Sequence, residues 1–212
     1  SSLKMGKLTV VGLAMSTCTR RVLMALEEKG AQYQIQPVDF SVGQHKSAEY
    51  LEKEQPFGQI PVLHDDDFKI FESRAIARYI DDSVPGYQLI PKDPKLKGLV
   101  EQWISIEMSN YKPAEALVGE FIFKKFHGLS PDQSVIDEQT KKLHEYLKVM
   151  NKLIGDRNYL VGDSFTMADL VFMPYTGYLL GIEKYSNLFA EYPNVDRWWK
   201  TISSRPAWQK VL

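Results

Sequence analysis

A serine and the only cysteine of the chain lie two residues apart in the stretch LAMSTCTRRVLMALEEKG, at residues 13–30. A hydroxyl can act as a nucleophile or donate a hydrogen bond to an anion, and a thiol becomes reactive once it is ionised. The surroundings of Ser16 and Cys18 therefore decide which of the two side chains does chemistry.

Cys18 is interpreted as a structural residue. A helix that begins at Thr17 turns by about 100° per residue. Cys18 then shares an apolar face with three residues: Val22, Ala25 and Leu26. A buried thiol on such a face behaves as a small hydrophobic side chain, whereas a reactive thiol needs an exposed, electropositive setting.

Ser16 allows two interpretations. Serine is a preferred helix N-cap, and capping alone would explain its position. A hydroxyl at the positive end of a helix dipole can also donate a hydrogen bond to an anion and so stabilise a thiolate carried by a ligand. A covalent role is not indicated, because no histidine follows at a local spacing and no GxSxG motif is present.

Composition limits the classes of protein. The chain has 212 residues, of which 44% are hydrophobic and 25% charged, which is ordinary for a soluble globular protein of one large or two small domains. A net charge of −1 does not favour nucleic acid or anionic membranes as partners. We find no disulfide pair, membrane span or signal peptide, so we expect a cytoplasmic protein that binds neither nucleic acid nor membrane.

The hydrophobic pattern divides the chain in the middle. Residues 1–82 mix short β-rich runs with helices in the order βαβ-ββα, and the first helix is expected to stop at Gly30. The aspartates 65–67 are interpreted as a hairpin turn rather than a metal site. Residues 83–94 contain three prolines and form a predicted linker. Residues 95–212 are predicted to be an all-helical domain, so the fold class is α/β plus all-α.

The helical half shows three local signals. Apolar residues at helical spacing predict two long helices, with Leu96, Leu99, Val100, Trp103 and Ile104 in the first and Leu143, Tyr146, Leu147 and Met150 in the second. Pro113 should interrupt the first of them. In SFTMADL, Thr166 and Asp169 have the spacing of a capping box, with Phe165 placed to pack on Leu170.

Five motifs together carry a family resemblance. MSTCTRRV, QHKSAEYL, QPFGQIPVL, FESRAIARYI and SFTMADL follow one another in the order and spacing of a glutathione transferase. The serine before the first helix and the HKS loop are similar to those of the plant phi class. The resemblance covers residues 6–210. It implies a thioredoxin-like N-terminal domain followed by a C-terminal helical bundle.

The resemblance implies a set of glutathione-binding residues: Ser16, Thr17, His45, Lys46, Gln59, Ile60, Glu72 and Ser73. Glu72 and Ser73 open a helix whose free N–H groups suit the γ-glutamyl carboxylate, and Gln59 would contact the same end. Ile60 and Pro61 resemble the family's cis peptide, which pairs with the cysteinyl backbone. Without the resemblance, Glu72 and Ser73 are simply a favourable helix start, and Pro61 is a strand-initiating proline.

His45 and Lys46 would supply donors for the glycine carboxylate of glutathione, although a His-Lys pair in a polar loop is by itself ordinary solvated surface. The other histidines, His64, His127 and His144, show no spacing typical of metal ligands and are interpreted as structural or surface residues.

Ser16 is the implied catalytic residue. Its hydroxyl would lower the pKa of the bound thiol from about 8.5, and the thiolate would attack an apolar electrophile. Glutathione is then a co-substrate, and neither a metal nor another cofactor is needed. Reduction of organic hydroperoxides stays open. Disulfide exchange is disfavoured, because Ser16 and Thr19 stand where cysteines would be required.

Four aromatic or apolar residues receive roles from the resemblance. Met15, Phe40 and Phe121 would line the electrophile pocket, although each could also be ordinary core. Phe57 matches the position from which many members insert an aromatic side chain into the partner subunit, which implies a homodimer. The alternative is that Phe57 packs within its own domain.

Two other functions remain open. A non-catalytic carrier of glutathione conjugates or apolar metabolites could use the same fold, since fold alone does not determine function. Ser16 argues against a carrier, because a carrier does not need a side chain that donates a hydrogen bond to a thiolate. A regulatory protein that kept only the fold would be expected to lose Glu72, Ser73 or Ile60-Pro61, and all are present.

Overall fold

The chain forms two compact units. A computed structural model describes residues 7–212; residues 1–6, assigned from sequence to the first domain, lie outside the described residues. The first unit extends to Ile90 and includes Pro206–Leu212, and the second unit is Pro91–Arg205. Residues 83–90 and 206–212 thus group with the first unit, whereas the sequence pattern predicts a linker over 83–94 and a helical domain over 95–212.

The first unit contains a four-stranded sheet and three helices before residue 90. They are β1 (Leu8–Gly12), α1 (Thr17–Lys29), β2 (Tyr33–Pro37), α2 (Ala48–Lys53), β3 (Val62–Asp65), β4 (Phe68–Phe71) and α3 (Ser73–Ser83). A 3₁₀ turn, Gln44–Lys46, precedes α2. The sequence predicts a loop here, but the structure contains α2, whose N-cap Ser47 accepts a hydrogen bond from the backbone N–H of Tyr50 at 3.2 Å.

The strands lie in the order β2-β1-β3-β4. β1 pairs in parallel with β2, with Val10 opposite Ile35, and antiparallel with β3, where Val10 faces Leu63. Val10 and Leu63 are fully buried. This βαβ-ββα arrangement is the thioredoxin-like fold that the resemblance implies.

Helix α1 is buried on most of its surface. It begins after Ser16 and ends at Gly30, which has a left-handed φ of 64° that glycine adopts without strain. Arg21 and Lys29 are buried together with the apolar residues, because α3 and the last helix, Pro206–Val211, both pack on α1. The buried surface of α1 is therefore wider than the single apolar face that the sequence predicts.

A buried ion pair fastens the segment after α3. Lys29 Nζ lies 2.7 Å from Asp81 Oδ1, and both side chains are almost fully inaccessible. Asp81 also accepts hydrogen bonds from the backbone N–H groups of Leu89 and Ile90 at 2.7 and 2.8 Å. A buried charge is tolerated when it is paired and hydrogen-bonded in this way. The residues up to Ile90 are thereby held on the first unit.

The second unit is helical. Its helices are α4 (Pro94–Asn110), α5 (Lys112–Val118), α6 (Lys124–Phe126), α7 (Gln133–Ile154), α8 (Met167–Leu170), α9 (Met173–Leu180) and α10 (Pro193–Ser203); α11 is Pro206–Val211 of the first unit. A π-helical turn, Gly119–Phe123, joins α5 to α6. Pro113 lies at the start of α5 and interrupts the helix as predicted. None of the described helices is both long and apolar enough to cross a membrane.

The predicted apolar face of α4 is only partly correct. Val100, Trp103 and Ile104 are buried, but Leu96 and Leu99 are 37% and 44% exposed. Within this unit, α5 and α8 pack against α4. They bury only part of the apolar face, and the first two turns keep their leucines exposed.

The predicted capping box at α8 is confirmed. Thr166 accepts a hydrogen bond from the backbone of the first helical turn, and Asp169 Oδ2 accepts from the Thr166 N–H at 2.9 Å. Asp169 Oδ1 also accepts from the Leu160 N–H at 2.9 Å and from the Trp198 indole at 2.8 Å. Burial outweighs these three donors and raises the pKa of Asp169 to about 6. One carboxyl group thus ties α8 to α10.

Candidate active site

Ser16 caps α1, and its hydroxyl proton remains available. Its Oγ accepts a hydrogen bond from the Thr19 N–H at 3.4 Å, which is long for a cap. Accepting this bond uses a lone pair, so the O–H can still donate to an anion at the helix N-terminus. The side chain is half-buried. Capping and thiolate stabilisation are therefore compatible roles for Ser16.

Cys18 lies beside a buried charge. The residue is only half-buried, whereas the helical pattern predicts a buried thiol. Arg21 Nη1 lies 3.7 Å from the Cys18 Sγ and donates to the Ser73 Oγ at 2.9 Å. Arg21, one helical turn after Cys18, shares its side of α1 and places a guanidinium where the sequence analysis expected apolar neighbours.

Arg21 is a site residue that the sequence analysis missed. It is fully buried and joins α1, which carries Ser16, to the first residue of α3. The available signal was a charged residue on the face of α1 that also carries Cys18 and Ala25. Its partner, however, is 52 positions away.

Glu72 and Ser73 form the start of α3 in an unusual conformation. Glu72 has φ 74° and ψ 106°, a region that costs a residue with a side chain about 1–3 kcal/mol. The Glu72 side chain makes no capping bond and is exposed, so its carboxylate is available to a cationic group. Ser73 is buried at the first helical position. Free N–H groups at this helix start suit a carboxylate ligand.

The loop before β3 is held by two buried side chains. The Ile60-Pro61 peptide is cis, as the resemblance implies. The Tyr50 hydroxyl donates to the Gln59 carbonyl at 2.7 Å. Gln55, only 2% exposed, accepts from the Phe57 N–H at 2.6 Å. Neither Tyr50 nor Gln55 was identified from sequence, since their partners depend on how the loop folds.

His45 and Lys46 pack against this loop. Lys46 Nζ donates to the Phe57 carbonyl at 3.1 Å. Burial, followed by the charge of Lys46, lowers the pKa of His45, which favours the neutral imidazole. The ring of His45 stacks on Phe40, with centroids 3.9 Å apart and 14° between the planes. The His-Lys pair is therefore built into the fold rather than extended freely into solvent.

Gly58 should not tolerate a side chain. It has φ 64°, and an added Cβ would lie 2.7 Å from both the His45 carbonyl oxygen and the Lys46 Cδ. A left-handed alanine costs about 1–2 kcal/mol before this clash is counted. We expect Gly58→Ala to lower the melting temperature by roughly 5 °C and to weaken ligand binding through His45 and Lys46. Thermal unfolding checks the first effect.

Gly98→Ala is the matched control for Gly58→Ala. Gly98 lies within α4 and has no other heavy atom within 4 Å of an added Cβ. Alanine there should stabilise the helix by up to about 1 kcal/mol. Equal melting temperatures for the two variants would contradict the tight packing described for Gly58.

All but one of the predicted site residues belong to the first unit. Ser16, Thr17, His45, Lys46, Gln59, Ile60, Glu72, Ser73, Met15, Phe40 and Phe57 all belong to the first unit. Met15, Phe40 and Phe57 are exposed by 48%, 40% and 69%, so they are not core residues. Phe121 belongs to the second unit, where its ring contacts Tyr185 edge-on at 5.8 Å.

The histidines outside the site have protein partners or lie on the surface. His64 lies 2.6 Å from the Glu54 carboxylate, and His144 bonds the Tyr192 hydroxyl at 2.7 Å. His127 is exposed after α6. Over residues 7–212, no group of three or more His, Cys, Asp or Glu side chains is arranged to hold a metal ion.

Comparisons with known proteins match both units. Residues 6–82 match the family model "Glutathione S-transferase, N-terminal domain" and residues 108–206 match "Glutathione S-transferase, C-terminal domain". Glutathione S-transferase F10 of Arabidopsis thaliana is 40% identical over 196 residues, which are 91% of each chain.

Solved structures agree with these matches. Glutathione transferase F7 from Populus trichocarpa has a TM-score of 0.90 and 41% identity, covering 96% of this chain and 97% of that one. Glutathione S-transferase I from maize, solved in complex with an atrazine glutathione conjugate, has a TM-score of 0.88 and 33% identity, covering 97% and 96%.

A thioredoxin-like unit with a serine-capped first helix, joined to a helical unit, is the fold of a glutathione-using transferase. The chain belongs to the glutathione S-transferase family. The resemblance to the plant phi class is confirmed, because relatives of the plant F series match nearly the whole chain.

Proposed function

We propose that the chain conjugates glutathione to apolar electrophiles, with Ser16 as the residue that stabilises the glutathione thiolate. The thiol proton leaves to solvent, and the sulfur attacks an electrophilic carbon. A carbon–sulfur bond forms, and the leaving group departs with its electron pair. The observation that carries this proposal is the free hydroxyl proton of Ser16 at the N-terminus of α1.

The remaining residues are proposed to bind glutathione along its length. Glu72 and the start of α3 would hold the γ-glutamyl amine and carboxylate, with Gln59 beside them. The backbone of Ile60 would pair with the cysteinyl residue, and Thr17 lies at the first turn of α1. His45 and Lys46 would bind the glycine carboxylate. No metal or additional cofactor takes part in this scheme.

The electrophile is proposed to meet apolar side chains. Met15 and Phe40 are large, exposed apolar residues of the first unit, which supports a role in ligand contact. Phe121 is also proposed to contact the electrophile. Apolar walls discriminate weakly between similar molecules, so we expect a broad substrate range. Detoxification in the cytoplasm and reduction of organic hydroperoxides are further proposed uses of the same thiolate.

The pKa of the bound thiol tests the proposed function. Free glutathione is titrated first, and then the protein–glutathione complex is titrated by following thiolate absorbance in the ultraviolet. We expect a bound pKa at least one unit below that of free glutathione. Binding with an unchanged thiol pKa would instead identify a carrier, and a lack of binding would reject both functions.

We also propose that two copies form a homodimer through Phe57. The Phe57 side chain is 69% exposed, which is unusual for an aromatic residue in a loop held rigid by Gln55. The second unit has a cavity of about 680 Å³ whose lining combines apolar side chains, among them Trp103, Val149 and Leu153, with polar ones such as Gln139, Lys142 and Glu145. In a two-fold dimer, each copy supplies both the protruding ring and the cavity.

Phe57→Ala should weaken this dimer by about 30-fold, since burying one aromatic ring contributes roughly 2 kcal/mol. Analytical ultracentrifugation across a concentration series measures the dissociation constant. Phe126→Ala is the control, because Phe126 is equally exposed at 66% but belongs to α6. A monomeric parent protein, or equal dimer affinity in both variants, would contradict the proposal.

A further inference from the structure

Phe40 and His45 form a preorganised aromatic pair. Their rings lie face to face at 3.9 Å and 14°. The turn between them is closed by its own bonds: the Gly43 N–H donates to the Phe40 carbonyl at 3.1 Å, and the Gln44 N–H donates to the Asp39 carbonyl at 3.0 Å. Asp39 Oδ1 also accepts from the Ser41 N–H at 2.9 Å. The stack is therefore part of a fixed turn.

The tautomer of the His45 ring decides which of its two nitrogens can donate to a ligand. His45 Nδ1 is buried and has no hydrogen-bond partner among residues 7–212. Placing the imidazole proton on this atom would bury an unsatisfied donor, which is costly. With the proton of the neutral ring on Nε2, the imidazole can donate to an acceptor outside the protein.

The neighbouring cation is also fixed in place. Lys46 Nζ is bonded to the Phe57 carbonyl, and Gly58 leaves no space between its own backbone and the His45 carbonyl. The backbone of His45 is thus held on one side by the loop, and its ring is held on the other by Phe40. The direction of the Nε2–H bond follows from these two contacts.

We propose that Phe40 is a positioning residue for the glycine carboxylate of glutathione, because it fixes the plane of the His45 ring. This inference rests on the proposed function and deepens it. Its consequence is that Phe40 governs the selection of the thiol substrate, in addition to any contact with the electrophile. A side chain without a flat ring should let His45 rotate and misdirect its donor.

Truncation of the thiol substrate tests this role. Conjugation rates are measured with glutathione and with γ-glutamylcysteine, which is glutathione without its glycine. We expect Phe40→Leu to lower kcat/KM for glutathione about fivefold more than for γ-glutamylcysteine, mainly through KM. Phe40→Tyr keeps the ring and should retain the preference for glutathione over γ-glutamylcysteine. His45→Ala should lose the same preference, and adding Phe40→Leu to it should not change the ratio of the two kcat/KM values any further.

Phe68→Leu is the matched control. Phe68 is 47% exposed and contacts an aromatic ring, Tyr79, at 4.9 Å, but it belongs to β4. Its substitution should leave the preference between the two thiols unchanged.

Four results would overturn the inference: equal losses for both thiols in Phe40→Leu, a change only in the KM of the electrophile, an additive loss of the thiol preference in the double variant, or a parent enzyme without preference for glutathione. If Phe40→Leu does not fold, Phe40→Met, which also lacks a flat ring, replaces it in the same comparison with His45→Ala. A parent protein that uses neither thiol would reject the proposed function itself.

Discussion

Ser16→Ala should reduce kcat/KM for conjugation at neutral pH by about 100-fold, which is the usual effect of removing one donor to a developing or full negative charge. The loss follows from the geometry of α1, where the Ser16 Oγ accepts from the Thr19 N–H and keeps its own proton for the ligand. Without that proton, the thiol pKa of bound glutathione should return toward about 8.5.

The pH profile gives this prediction a second readout. Removing a donor raises the pKa of the bound thiol, so the deficit of Ser16→Ala should be largest at low pH. It should shrink as the pH rises above the thiol pKa, because the thiol then ionises without help. Steady-state rates from pH 6 to 9, together with the ultraviolet titration of the complex, measure both effects.

Two variants separate this role from capping and from the nearby thiol. Ser16→Thr keeps the hydroxyl and should retain a large part of the activity, whereas Cys18→Ala should leave the thiol pKa unchanged. Loss of the cap should cost about 1 kcal/mol of stability, which thermal unfolding detects separately. A low bound-thiol pKa in Ser16→Ala would show that the helix N-terminus alone activates glutathione.

The parts of the fold that were predictable from sequence depend on local patterns. The strands around Val10 and Leu63, the end of α1 at Gly30 and the capping box of Asp169 each follow from residues close in sequence. Pro113 likewise interrupts a helix for a local reason. The motifs of the family resemblance assign the proposed site residues on the same basis.

The parts that were not predictable depend on contacts between distant residues. Arg21 reaches Ser73 across 52 positions, and Lys29 reaches Asp81 across the same separation. The exposure of Leu96 shows the same limit, because helical spacing identifies an apolar face but not how much of it the neighbours cover. Packing, which a single sequence does not reveal, decides these cases.

Asp169→Ala should be among the most destabilising single substitutions in the second unit. It would leave three buried donors unsatisfied: the Leu160 and Thr166 N–H groups and the Trp198 indole. Each orphaned donor costs about 1–3 kcal/mol, so we expect a loss of roughly 4 kcal/mol and a fall in melting temperature of about 10 °C. Asp163→Ala, at an exposed position before α8, is the control and should change the melting temperature little.

The ionisation of Asp169 adds a pH dependence of known sign. Its pKa is raised by burial to about 6, above its ordinary value of 3.8. Because the folded pKa is the higher one, the contribution to stability is complete below the unfolded pKa and is lost as the pH rises through about 6. The stability of the parent protein relative to Asp169→Asn should therefore decrease between pH 5 and 7 in urea unfolding. A constant difference would mean that the three donors hold the pKa of Asp169 near its ordinary value, with the carboxylate charged throughout this range.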